Sequence, residues 1–362
     1  RRGKLSRIFY WISNQVRYLG VDREKHLPGL EPHDVAYTFE TRGGVCRDKA
    51  ALLTAMFRIA GIRSDVILIS AGSRLNFKAP VLWFNHAITV SYDENSNPEF
   101  IFDPTNENTR DFLPKYMEDN SYLIATAKGD TLRLTPISPP EKNNSTLNIV
   151  LKRGQTNEVT GSMEFLFSGF ADTVLRNHFA NLTPYEIENT ISSVVRLLHP
   201  HTRALDFQYS DYRDKTRNMR IFTRIEIPGY ITHINQKIFI PFDAVKLKMH
   251  MLYHYIMGPF NQSSRKYDFK MEGAFSLDTR FEIDFARNLE SPSFPAIKTI
   301  DFLGFKTRLS SLSEEGRLKI EYHFETRKIH FRKEDFLSIK ETINALFKND
   351  DLYIIADSGS RE

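Results

Sequence analysis

The clearest helical period in the chain lies at residues 46–61, where Ala50, Leu53, Phe57 and Ala60 fall on one stripe and Gly61 follows as a C-terminal stop. A second stripe, Leu5, Ile8, Ile12 and Val16, predicts an amphipathic helix over residues 4–18 that packs against the first. Between them, residues 20–42 hold Pro28, Gly29 and Pro32 and no lasting period, which predicts a connection. Residues 64–70 then read as a buried strand and residues 70–79 as a polar loop. From 81 to 92 the pattern alternates, with His86, Ile88, Val90 and Tyr92 on a core-facing row and Asn85, Ala87, Thr89 and Ser91 on the other. The turn from Tyr92 to Pro98 leads into a short strand at 100–105, stopped by Pro104, so the two strands predict a hairpin. Residues 131–135 alternate as an edge strand.

Residues 136–145 exchange apolar positions for proline and asparagine, which places a boundary between a first domain at 1–138 and a second at 147–362. Beyond it, residues 147–152 and 158–167 alternate as strands. Thr183, Pro184 and Glu186 supply an N-cap, a first-turn proline and a capping-box acid for a helix reaching about Leu198. Strand-like runs follow at 204–209, 219–227, 279–285, 297–302, 318–325 and 328–331. Residues 334–347 then form an amphipathic helix with acids in its first turn. The period-2 runs outnumber the helices, so the second half reads as α+β with much antiparallel sheet and an insertion near 235–265.

Composition adds exclusions. With 41% hydrophobic and 26% charged residues the 362-residue chain is an ordinary globular protein, long enough for two or three domains. The net charge of +4 is small against 49 basic and 45 acidic residues, and the two signs are interspersed, which argues against a nucleic-acid partner. No run has the length of a membrane span. The start at Arg1 rather than Met suggests an excised fragment.

The one cysteine changes the picture further. Cys46 opens the helix at 46–61, where the orphan N–H groups and the positive end of the helix dipole favour thiolate over thiol. Gly43 and Gly44 precede it and leave room for a substrate carbonyl to approach the sulfur. His86 and Asp103, on the two strands of the hairpin, would place an imidazole and a carboxylate side by side. A nucleophile, a base and an orienting acid are thereby available.

Gly44-Val45-Cys46-Arg47-Asp48-Lys49-Ala50, Asn85-His86-Ala87 and Phe102-Asp103-Pro104-Thr105 resemble the three motifs of the transglutaminase-like core, a branch of the papain-like cysteine enzyme superfamily. The likeness covers about residues 5–137, and the chain is similar to bacterial multidomain proteins in which that core lies between β-rich domains. The resemblance implies an α+β core with the cysteine helix packed on an antiparallel sheet. It also implies that Cys46, His86 and Asp103 match the family's triad, that protein or peptide is the substrate, and that a bacterial, exported or periplasmic setting is to be expected. The papain-like oxyanion glutamine has no counterpart in residues 37–42, so Gln15 and Trp11 on the preceding helix are the candidates for the second oxyanion donor. Acyl transfer or hydrolysis through a thioester follows, with neither cofactor nor metal required. The alternatives are a scaffold that keeps the fold without turnover, and a protease whose second domain selects substrates.

Other motifs weigh less. His250 and His254 have zinc-binding spacing, but Met251 stands where the general-base glutamate would be, so an aromatic packing surface is the expectation. Residues 93–97 imitate a calcium loop, yet Pro98 and Pro104 occupy the positions of its glycine and bidentate glutamate, which leaves a hairpin turn. His199 and His201 follow a helix end as solvated histidines or dipole partners. Asp48 is expected to cap its own helix, and Lys49 to be a surface charge or a partner to a nearby acid.

Overall fold

Leu5, Phe9, Ile12 and Val16 are wholly buried, and the first three line the inner face of α1 (Arg2–Gln15). The computed structural model describes residues 1–20, 31–79, 83–155, 157–241, 252–285, 289–294, 299–314, 316–347 and 353–357. These divide into two compact units, Arg1–Ser138 and Pro139–Glu362.

In the first unit α1 is shorter than its apolar stripe. Val16, β-branched and stiff at χ1, leaves the helix with φ −115° and ψ 109°, and Arg17–Tyr18 (β1) pairs in parallel with Gly43–Gly44 (β2). Between these lies α2 (Val35–Thr41), inside the segment expected to be only a connection. Asp34 caps it by accepting the N–H of Ala36 at 2.8 Å. The cysteine helix α3 (Cys46–Ile59) runs as its period predicts. Gly61, at φ 76°, closes it in the left-handed conformation while the Ile62 N–H reaches back to the Phe57 carbonyl.

The strands β3 (Ser64–Ile69), β4 (His86–Tyr92), β5 (Pro98–Phe102), β6 (Ser121–Ile124) and β7 (Arg133–Leu134) form one antiparallel sheet in the order β5-β4-β3-β6-β7. The β4–β5 hairpin turns where the Asp93 side chain accepts the Asn97 N–H at 2.7 Å. The two faces of β4 differ from expectation, because both are buried. Ile88, Val90 and Tyr92 join Ile67, Ile69 and Tyr122 in one cluster. The row turned to α3 is Ala87, Thr89 and Ser91, where Thr89 donates to the Ala50 carbonyl at 3.0 Å. Small residues on that row let the helix lie close to the sheet. Leu52, Leu53 and Phe57 of α3 pack with α1 and Phe102, each such side chain stabilising by about 1.5–3 kcal/mol.

Among the described residues, the second unit is built on a nine-stranded sheet. Its central strands run 220–227, β9 (Val159–Phe167), β8 (Asn144–Arg153), 275–284, 317–326 and 305–314, all antiparallel neighbours except β8 with 275–284, which is parallel. Leu147, Ile149 and Leu151 alternate into its core, which is closed by α4 (Phe170–Phe179) and α5 (Pro184–Val195). The sequence pattern gave no sign of α4. The capping box at α5 forms as expected, with the Thr183 N–H donating to Glu186 at 2.8 Å. Within the region expected to be an insertion, 237–241 pairs with 353–357 in a second sheet, four-stranded among the described residues.

Candidate active site

Cys46 is the first residue of α3 and stays partly exposed, while Val45 before it and the three residues after it are buried. Asp48 fixes the helix start. One of its oxygens accepts the Val45 N–H at 2.9 Å and the other accepts the His33 N–H at 2.9 Å, so it caps the helix as expected and also ties it to the segment before α2. The room beside Gly44 belongs to this carboxylate rather than to a substrate, because a Cβ there would lie 2.8 Å from the Asp48 Cβ.

His86 opens β4 with its side chain only 11% exposed. Its Nε2 donates to Asp103 Oδ2 at 3.2 Å, and the ring lies close enough to the Cys46 thiol for each to shift the other's titration. Asp103 follows directly on β5 and is wholly buried. Beyond His86, its carboxylate accepts the Thr105 N–H at 3.0 Å, the Thr105 hydroxyl at 2.6 Å and the Tyr116 hydroxyl at 3.4 Å. A buried carboxylate saturated in this way holds a fixed orientation.

The charges follow from the contacts. Burial pushes the Cys46 thiol up, but the hydrogen bond and charge of His86, with the backbone N–H groups of Ala87 and Arg47, outweigh it, and the thiol titrates below its ordinary value. Burial pushes His86 down, whereas its hydrogen bonds to Asp103 and Cys46 and their charges raise it to about 10. Asp103, despite complete burial, is held below the carboxylate range by His86 and Thr105. All three displacements favour a thiolate–imidazolium pair backed by a carboxylate.

The remaining expected residues lie as follows. Gln15 is exposed at the last turn of α1. Trp11 stacks on Phe39 with ring centroids 5.5 Å apart, and the Arg42 guanidinium lies 4.5 Å from the indole centroid. Lys49 corrects the surface-charge reading: it is completely buried and its ammonium donates to the Val16 carbonyl. Burial lowers it to about 8, opposed by the charges of Glu107 and Asp103. Tyr18, which the helical stripe concealed, lies opposite Gly44 and interacts with the charges of Cys46 and Asp103. His250 lies outside the described residues, and among the described residues no three His, Cys, Asp or Glu side chains are grouped to hold a metal. No described helix is long and apolar enough to cross a membrane.

No curated protein matches the chain. Among solved structures it is similar to a candidate protease from Parabacteroides distasonis, with a TM-score of 0.55 and 10% identity over 98% of this chain. The match spans 52% of that protein, so the chain corresponds to about half its length. Residues 1–95 match the model of the transglutaminase-like superfamily, and the N-terminal unit therefore has a transglutaminase-like core within an α+β chain.

Proposed function

We propose that this chain is a cysteine-dependent acyltransferase or hydrolase acting on amide bonds of protein or peptide substrates through a thioester. The observation that carries the reading is the His86 ring bonded to a buried, fully partnered Asp103 and shifted in its titration by a partly exposed Cys46 sulfur beside it. The Cys46 thiolate attacks the carbonyl carbon, and the C=O electron pair moves onto oxygen, where the Cys46 backbone N–H, an orphan donor of the first turn of α3, can meet it. Collapse of that intermediate expels the amine and leaves the thioester. The attack removes the thiolate charge that helps keep His86 protonated, so the imidazolium becomes a stronger acid as the leaving amine takes its proton. Asp103 holds the ring in place and stabilises its cation. Water or a second amine then accepts the acyl group, giving hydrolysis or cross-linking. The likeness to a candidate protease accords with a peptide substrate.

Alkylation by iodoacetamide tests the first step. At pH 6 the thiol is expected to react about 10- to 100-fold faster than a free thiol, and His86→Ala to return it to the free-thiol rate. A wild-type rate that follows a free thiol at every pH would mean an idle scaffold. Incubation with casein and a fluorescent amine then separates incorporation from cleavage.

A further inference from the structure

We propose that the Tyr18 hydroxyl is the second oxyanion donor, acting beside the Cys46 backbone N–H; this rests on the thioester reading above. The backbone places it there. After α1 ends, β1 runs parallel to β2 with Tyr18 opposite Gly44, and the Leu19 N–H donates to the Gly44 carbonyl at 3.1 Å. Tyr18 thus stands across from the stretch that leads directly into the nucleophile.

The segment is held from several sides. The Arg17 N–H donates to the Arg42 carbonyl at 2.8 Å, the Tyr18 N–H donates to Glu107 at 3.3 Å, and the buried Lys49 ammonium, one turn along α3 from Cys46, grips the Val16 carbonyl. Such fixing is what an oxyanion donor requires, because its value lies in not having to reorganise when charge develops. The half-buried phenol has no hydrogen-bond partner among the described residues, so its O–H is free to be given to a substrate. Burial first, then the negative charges of Cys46 and Asp103, raise its pKa, which keeps it a protonated donor throughout the working range. In the reaction it donates a hydrogen bond to the carbonyl oxygen as the π pair moves there, and no proton is transferred. It supplies what Gln15, exposed at the end of α1, and Trp11, stacked on Phe39, were expected to supply.

Two reactions of the same thiol test this in the full chain. Alkylation by iodoacetamide is a displacement at a saturated carbon and builds no oxyanion, whereas acylation by p-nitrophenyl acetate passes through one and releases p-nitrophenolate. Tyr18→Phe is expected to leave the alkylation rate and its pH profile at wild-type values while slowing the acylation burst by about 10²-fold. If both rates fall together, the phenol acts on the thiolate or the fold, and the assignment is overturned. An unchanged burst also overturns it. A wild-type chain that alkylates as a free thiol and gives no burst would remove the underlying reading instead, which is a distinct result.

Discussion

At Cys46 and His86 the two displaced titrations work in opposite directions on stability. A raised His86 contributes stability that is complete below its unfolded value of about 6.5 and is lost as pH climbs through about 10. A lowered Cys46 contributes stability that is complete above its unfolded value of about 8.5 and is lost as pH falls through its folded value. Where Cys46 is a thiolate, then, folded and unfolded chains each hold one proton on the pair between about pH 6.5 and 8.5, and the two slopes cancel. Above that only the folded state keeps a proton, and stability declines toward pH 10. Cys46→Ala removes the compensating member. Its denaturant-unfolding free energy is expected to decline from about pH 6.5, by ~2 kcal/mol relative to wild type across the window. Parallel wild-type and Cys46→Ala profiles from pH 6.5 to 8.5 would show that the two groups do not titrate as a pair.

Among elements, the contact between α3 and β1 separates what was legible in the sequence from what was not. The cysteine helix, the β4–β5 hairpin and the nearness of His86 to Asp103 follow from local signals: a 3.6-residue period ended by glycine, a period of two, and a proline that stops a strand. Tyr18 was hidden because the stripe Leu5, Ile8, Ile12, Val16 runs past the true helix end, and the partner that draws residues 17–18 into a strand is the remote Gly43–Gly44. The burial of Lys49 was hidden for the same reason, although its alternative as a partner to nearby acids fits the charges of Glu107 and Asp103. A lysine on a helix is usually solvated, and what buries this one is a carbonyl at Val16 and acids at 103 and 107, none of them near in sequence. The row of β4 expected to face the core does so, and the burial of the opposite row was hidden because alternation marks two faces but does not say when both are covered. Lys49→Met, which keeps the aliphatic stem and removes the donor, is expected to cost about 1–3 kcal/mol by leaving the Val16 carbonyl unpartnered. It should also slow ester acylation more than alkylation, since β1 carries Tyr18 and α3 carries Cys46. A stability change within about 0.5 kcal/mol, typical of an exposed lysine, would contradict this role.

Over the whole molecule, each unit contains its own core. The apolar clusters of the first unit draw on residues 5–124, and the large cluster of the second on residues 147–354. The second unit also has a buried polar keystone. Arg176, wholly buried on α4, donates to Asp172 at 2.7 Å and to the carbonyls of Tyr212, Asp214 and Arg217, while Asp172 accepts the Met219 N–H at 2.6 Å. This ties the loop at 212–219 to the helix that covers the sheet. Removing one partner strands the other's charge, so Arg176→Met is expected to cost about 3–5 kcal/mol. Because the chain has a single cysteine, and that cysteine lies in the first unit, the two units can be followed separately. Calorimetry should show a lowered transition for the second unit in Arg176→Met, while the activated alkylation of Cys46 at 25 °C keeps its wild-type rate and its dependence on His86. If the cysteine instead loses its activation in step with that transition, the reactivity of the thiol depends on the second unit's fold.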